Sequence, residues 1–109
     1  PDSGLVSVGG SIVDVRERLV RRGRESEPLS GREWALLDLL LRHRGDVLTR
    51  TRILDRVWGL SHDPTTNVVD VYIGYLRRKL DAPAQPGGSM IETIRGRGYR
   101  LRSEEEVAP

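Results

Sequence analysis

The chain of 109 residues has no cysteine, only two histidines and no long apolar run. Without cysteine it forms no disulfide, no thiolate nucleophile and no cysteine-ligated metal site. No apolar stretch approaches the roughly 20 residues that a membrane-spanning helix needs. The N-terminus has neither the basic and apolar segments of a signal peptide nor an initiator methionine, which favours a fragment or a processed chain. Secreted and membrane-spanning classes are therefore disfavoured, and we expect a cytoplasmic protein with no membrane partner.

Residue sets that support catalysis are also missing. His43 and His62 match no metal-ligand spacing, and no Ser-His-Asp or Cys-His set is present. The glycines at Gly96 and Gly98 do not open a helix, as the glycines of nucleotide-binding loops do. We therefore expect a protein that is not an enzyme, with no cofactor and no metal.

Lysine is nearly absent, since Lys79 is the only one among 18 basic side chains. Arginine binds phosphate through two hydrogen bonds and also contacts base edges. Residues 1–102 carry 18 basic and 13 acidic side chains. The other three acidic residues of the chain are the glutamates at 104–106, so the positive charge is concentrated in residues 1–102. Arginine abundance alone fits a nucleic-acid partner and an arginine-rich solvated surface equally well, so the positions of the arginines must decide.

The length supports one compact domain, which we assign to residues 1–102, followed by a disordered acidic tail over 103–109. Three β-rich segments at 5–8, 12–15 and 18–21 are separated by glycines. This pattern predicts a small N-terminal antiparallel sheet.

Helical periodicity begins at Ser30. Ser30 and Glu33 match a capping box, in which each side chain accepts a hydrogen bond from the other residue's amide. The expected apolar stripe of this first helix is Trp34, Leu37, Leu40 and Leu41. His43 and Arg44 place cations in its last turn, and Gly45 is the expected C-terminal glycine.

Further segments follow in order. They are a helix over 50–58 capped by Thr49, a turn-rich loop over 59–66, a helix that begins at Thr66 or Asn67 and ends near Asp81, and a Pro- and Gly-rich loop over 83–89. Residues 90–102 predict a β-hairpin with Arg95 and Arg97 at its tip.

The third helix has two distinct faces. Helical geometry places one narrow stripe inward, consisting of Val69, Ile73, Leu76 and Leu80. The opposite side, here named the groove face, consists of Asn67, Val71, Gly74, Tyr75 and Arg78. A solvated helix face more commonly alternates glutamate and lysine, whereas Asp70 is the only acid between Asn67 and Leu80. The groove face suits a DNA major groove, with an ordinary solvated face as the alternative.

The order of elements is that of a winged helix-turn-helix, an α+β fold. In this layout the second helix crosses the DNA backbone and the third helix, over about 66–81, enters the major groove. The hairpin over about 91–102, here named the wing, reaches the neighbouring minor groove. A charged hairpin tip that only aids solubility is the alternative for the wing.

Five motifs occur in order along residues 5–102. They are Leu29-Ser30-x-x-Glu33-Trp34-x-Leu36-Leu37, Val47-Leu48-Thr49-Arg50, Val57-Trp58-Gly59, Val69-Asp70-Val71-x-Ile73-x-x-Leu76-Arg77-Arg78-Lys79-Leu80 and Ile94-Arg95-Gly96-x-Gly98-Tyr99-Arg100. With this spacing the chain resembles the OmpR/PhoB family of response-regulator effector domains.

The resemblance implies an N-terminal four-stranded sheet, three helices and a hairpin wing. It implies sequence-specific binding of promoter DNA, typically by two copies head to tail on direct repeats, and contact between the 59–66 loop and RNA polymerase. A receiver domain phosphorylated by a sensor kinase normally precedes such a domain. No receiver lies in this chain, so phosphorylation control is expected only in a longer parent protein.

Two departures from the family pattern affect base recognition. Gly74 and Tyr75 stand where members often carry arginine or another polar residue, and Asn67 stands where a cation is frequent. No known target sequence can therefore be transferred to this chain. The resemblance places Arg95 at the family's wing arginine and Arg97 at a variable position.

The residues predicted to contact DNA are Trp58, Asn67, Val68, Val71, Gly74, Tyr75, Arg77, Arg78, Thr93, Arg95, Arg97 and Tyr99. Trp58 is either a phosphate contact or a core residue, and Tyr99 either packs the wing onto the third helix or contacts phosphate. Arg77 is expected to bind phosphate or form a salt bridge, and Arg78 to bind phosphate or a base.

Structural roles are expected for three other side chains, with Trp34 in the core and Asp70 paired with Arg50. Two other functions remain open for the chain as a whole. The winged helix is either a protein-interaction module or the DNA-binding domain of an activator without a receiver. The cations of the third helix and wing favour DNA over the interaction module.

Overall fold

The computed structural model describes residues 4–59, 63, 65–81 and 87–103. The elements in these ranges are β1 (Leu5–Val8), β2 (Ser11–Asp14), β3 (Leu19–Arg22), β4 (Glu25–Pro28), α1 (Gly31–Arg42), α2 (Arg50–Trp58), α3 (Val68–Leu80), β5 (Ile91–Ile94) and β6 (Gly98–Leu101). The first four strands form one antiparallel sheet in chain order, and β5 pairs with β6 in a second sheet. The predicted α+β winged-helix arrangement is confirmed.

The N-terminal sheet has four strands, as the resemblance implies, whereas the hydrophobic pattern predicted three. Val8, Val13 and Val20 bury its inner face, but every residue of β4 is exposed. A strand whose side chains are all exposed has no apolar alternation, so only its backbone pairing with β3 reveals it.

The capping box of α1 is confirmed. The Glu33 amide donates to Ser30 Oγ at 3.2 Å, and the Ser30 amide donates to Glu33 Oε1 at 2.7 Å. The apolar stripe predicted for α1 is too narrow, and it includes two residues that are not fully buried. The buried leucines of α1 are Leu36, Leu37, Leu39 and Leu40. Leu41 and Trp34 are half-buried against this core. The buried face of α1 is wider than one stripe because α2, α3 and β6 all contact this helix.

The inward stripe of α3 is confirmed, since its four predicted residues are at most 1% exposed. Asn67 occupies the N-cap position of α3 but makes no capping hydrogen bond with its side chain. Thr66 Oγ1 instead accepts from the Val68 amide at 3.3 Å. Thr49 caps α2 as predicted, accepting from the Arg52 amide at 3.1 Å.

The wing is joined to the segment that leads into α2. Leu48 and Tyr99 exchange two backbone hydrogen bonds of 2.8 and 2.9 Å. Gly98 makes this approach possible, because its φ is +151° and a Cβ there would lie 1.9 Å from the Leu48 carbonyl oxygen. A side chain at residue 98 would therefore push the wing away from α2.

Three sequence predictions lie wholly or partly outside the described residues. They concern the loop over 59–66, the loop over 83–89 and the tail over 103–109. Among the described helices, none is long and apolar enough to cross a membrane.

Gly98→Ala is expected to lower the free energy of unfolding by about 1–3 kcal/mol, because the new methyl group overlaps the Leu48 carbonyl. Gly74→Ala is the control: its Cβ would meet no atom within 4 Å, so the higher helix propensity of alanine should raise stability by about 1 kcal/mol. Urea denaturation measures both changes. A Gly98→Ala domain as stable as the wild type would contradict the close approach.

Candidate nucleic-acid interface

The groove face of α3 is open to solvent, as the helical periodicity predicts. Asn67, Val71, Tyr75 and Arg78 are exposed, and Gly74 is half-buried. Val71 and Tyr75 are each 37% exposed and lie four residues apart on this face of the helix. The groove face can therefore be covered by a partner without any movement of α3.

An aromatic series connects α2 to the groove face. The Trp58 and Tyr72 rings pack edge to face with centroids 5.2 Å apart, and Tyr72 packs likewise on Tyr75 at 5.1 Å. The Arg78 guanidinium lies 5.1 Å from the Tyr75 ring centroid, and that of Arg32 lies 5.8 Å from Trp58. Such contacts favour one arrangement of the rings and cations. Sequence reasoning overlooked Tyr72, although its three-residue spacing from Tyr75 indicates contact.

Asp70 joins three elements on the side of α3 next to the wing. Arg50 of α2 donates to both carboxylate oxygens of Asp70, at 2.8 and 3.1 Å. The Tyr99 hydroxyl of β6 donates to the same carboxylate. The predicted Asp70–Arg50 ion pair and the packing of Tyr99 against α3 are both confirmed, and we name these three side chains the Asp70 cluster.

The contacts within the Asp70 cluster shift the pKa values of Asp70 and Tyr99 in opposite directions. The hydrogen bond from Arg50 is the main cause that lowers the pKa of Asp70, and the bond from Tyr99 adds to it. Burial, together with the hydrogen bond to Asp70, raises the pKa of Tyr99 to about 12. At neutral pH Asp70 is therefore an ionised acceptor and Tyr99 a protonated donor.

Arg77 contacts the wing within the domain. It donates to the Ile91 carbonyl at 2.6 and 3.1 Å and to Thr93 Oγ1 at 2.9 Å, and its guanidinium lies 5.8 Å from the Tyr99 ring centroid. Of the two roles expected for Arg77, the salt bridge is not formed, since its acceptors among the described residues are a carbonyl and a hydroxyl oxygen. Phosphate binding by Arg77 stays a prediction. The sequence shows that Arg77 flanks the groove face, but not that β5 packs there.

Two other residues predicted to contact DNA pack partly against the interior of the domain. Trp58 and Val68 are half-buried against the core. Direct contact of either side chain with DNA stays a prediction.

The tip of the wing consists of two arginines on either side of a glycine. Arg95, Gly96 and Arg97 are exposed, as is Thr93. The Arg97 amide donates to the Ile94 carbonyl at 2.9 Å and closes the turn, in which Gly96 has a φ of +71°. A cleft of about 460 Å³ separates the wing from the start of α2. Exposed guanidinium groups on a narrow hairpin match a narrow, negatively charged groove.

Within the described ranges, no group of three or more histidine, aspartate or glutamate side chains could hold a metal ion. The exposed arginines of α3 and the wing, Arg78, Arg95 and Arg97, are cations that could bind a negatively charged partner.

Comparison with known proteins agrees with this geometry. The family described as "Transcriptional regulatory protein, C terminal" matches residues 23–101. The chain belongs to this family. Its members are OmpR/PhoB-type DNA-binding effector domains rather than enzymes, so the recognised family and the expected absence of catalysis are both confirmed.

Individual relatives cover nearly the whole chain. Response regulator MprA of Mycobacterium sp. (strain KMS) is 43% identical over 102 residues, which are 94% of this chain and 44% of MprA. The crystal structure of the CpxR DNA-binding domain from E. coli superimposes with a TM-score of 0.74 at 30% identity, covering 97% of this chain and 100% of that domain. The Klebsiella pneumoniae RstA DNA-binding domain, solved in complex with the RstA box, gives 0.70 at 32% identity, covering 90% and 96%. The chain thus spans less than half of MprA and nearly all of the two separate DNA-binding domains.

Alkaline titration should show the hydrogen bond between Tyr99 and Asp70. The pKa of Tyr99 is raised from 10.0 to about 12. The protonated Tyr99 hydroxyl therefore stabilises the folded state fully below about pH 10, and this stabilisation is lost as the pH rises through about 12. We expect the ultraviolet titration of the wild type to contain a step near pH 12 that Tyr99→Phe lacks. Tyr75→Phe, which removes an exposed phenol, is the control and should keep that step. If the step lost in Tyr99→Phe lies near pH 10, the hydroxyl is not held by Asp70.

Proposed function

We propose that this chain binds promoter DNA in a sequence-specific way as the effector domain of a bacterial two-component response regulator. In this proposal α3 lies in the major groove and the wing in the adjacent minor groove. The observation that carries it is the exposure of arginine on both elements, with Arg78 on the groove face of α3 and Arg95 and Arg97 at the tip of the wing. Arginine on such elements neutralises phosphate and contacts base edges.

The exposed residues divide into base and backbone contacts. Arg78 either binds a guanine edge with two hydrogen bonds or holds a phosphate, and the Asn67 amide suits an adenine edge. Thr93 accepts a hydrogen bond from Arg77, which leaves its own hydroxyl proton for a phosphate. Arg77 and Tyr99 contribute to DNA binding mainly by holding the wing beside α3.

The arrangement on DNA extends this proposal beyond one chain. Two copies bind head to tail on direct repeats, and the loop over 59–66 contacts RNA polymerase. Phosphorylation by a sensor kinase acts through a receiver domain of the parent protein, which resides in the cytoplasm. Residues 1–102 form the DNA-binding domain and residues 103–109 an acidic tail. The support for these assignments is family membership together with the full-length relatives, which are more than twice as long as the matched segment.

A salt titration of DNA binding tests the proposal. Affinity for a mixed-sequence duplex, measured by fluorescence anisotropy, should fall steeply between about 50 and about 300 mM salt, with a log–log slope near −0.9 for each phosphate contact. Selection from a random duplex pool should then yield direct repeats. Binding that is indifferent to salt would contradict the proposal and favour a protein-interaction module.

Arg78→Ala should weaken binding to the selected duplex by about 1–3 kcal/mol and relax preference at one base pair if Arg78 binds guanine. A uniform loss on all duplexes indicates phosphate contact instead. Arg42→Ala is the matched control, because Arg42 is an exposed arginine on α1 that pairs with Asp38, and it should bind as the wild type does. Unchanged affinity of Arg78→Ala would show that DNA does not meet the groove face.

Arg95→Ala should weaken binding more than Arg97→Ala and reduce the preference for A·T-rich flanks, where the minor groove is narrow and most negative. Either change should make the salt slope shallower by about one contact. Both variants are titrated against A·T-rich and G·C-rich flanks at two salt concentrations. Equal affinity of the wild type and Arg95→Ala on every duplex would leave the wing with a purely structural role.

A further inference from the structure

The centre of the groove face is apolar, although both of its ends are polar. Val71 and Tyr75 lie one helical turn apart, about 6 Å along the axis, and each is 37% exposed. Between them Gly74 leaves open space, since a Cβ there would meet no atom within 4 Å. Asn67 lies beyond one end of this patch and Arg78 beyond the other. A partner that fits this face must offer apolar groups between polar ones.

In the DNA major groove, one base offers such a group. Thymine presents its C5-methyl group there and is the only one of the four bases that carries a methyl group. We infer that Val71 and Tyr75 contact thymine methyl groups beside the base or phosphate that Arg78 binds. This inference rests on the proposed binding of DNA and adds the identity of the bases at the centre of the site.

The patch is prepared for such a contact before any ligand arrives. Tyr72 packs its ring edge to face against Tyr75 at 5.1 Å, and Trp58 packs in the same way against Tyr72 at 5.2 Å. The Arg78 guanidinium lies over the Tyr75 ring at 5.1 Å. A side chain that is already ordered loses less conformational entropy on binding. Tyr72 is thus a positioning residue that acts through Tyr75.

The flanking charge favours DNA over protein as the occupant of the patch. An apolar docking site for a protein would be larger, because stable protein interfaces bury about 800 Å² on each partner. Here the apolar part consists of two side chains bordered by an exposed arginine. Cations beside a small apolar patch match the alternation of phosphate and base edge along the groove.

Deoxyuridine substitution tests the inference, because deoxyuridine is thymidine without the C5-methyl group. In the duplex obtained by selection, each thymidine is replaced in turn, and affinity is measured by fluorescence anisotropy. We expect one or two positions at which the wild type binds about fourfold more weakly, the factor that corresponds to one buried methyl-sized group. At such a position Val71→Ala or Tyr75→Ala should bind the two duplexes equally.

Variants of Tyr72 separate positioning from simple folding. Tyr72→Leu should reduce the discrimination between thymidine and deoxyuridine, whereas Tyr72→Phe, which keeps the ring, should preserve it at equal thermal stability. Deoxyuridine duplexes that bind as tightly as thymidine duplexes, with the salt slope intact, would overturn the thymine inference and leave DNA binding standing. Absence of salt-dependent binding to every duplex would overturn both.

Discussion

The carboxylate of Asp70 accepts hydrogen bonds from Arg50 of α2 and Tyr99 of β6, while Asp70 itself belongs to α3. These three elements are the ones that a winged helix places against DNA. The ion pair is partly solvent-exposed, at 41% for each side chain, so its contribution to stability is small. Its importance is geometric, because one carboxylate connects the recognition helix to α2 and to the wing. Arg77 adds a second link, from α3 to β5.

The far end of α3 is held by the N-terminal sheet. Arg22 of β3 donates to the Asp81 carbonyl at 2.7 Å, and Ser11 of β2 donates to the Leu80 carbonyl at 2.5 Å. The last carbonyls of a helix have no partner within it and carry partial negative charge, so these donors satisfy and stabilise them. Lys79 also pairs with Glu33 of α1 at 2.8 Å. The recognition helix is therefore fixed at both ends, and its groove face alone remains uncovered.

The sequence predicts those features that local periodicity or short spacing determines. The two faces of α3, the capping box at Ser30 and the pairing of Asp70 with Arg50 all follow from residue positions along the chain or from the expected adjacency of two helices. Strand β4 escapes detection, because backbone pairing and not apolar burial defines it. The contacts of Arg77 depend on where the wing packs, and the edge-to-face series through Tyr72 depends on how α2 meets α3. Neither relation is local in sequence.

The contacts of Asp70 and Arg77 imply that the recognition helix and the wing form one rigid unit before DNA binds. Backbone ¹⁵N relaxation of the free domain measures this directly. We expect order parameters near 0.85 for the amides of β5 and β6, equal to those of α3, and a decrease confined to the wing in Asp70→Asn. Order parameters below about 0.6 across β5 and β6 in the wild type would show a wing that becomes ordered only on DNA, and would contradict a preformed unit of helix and wing.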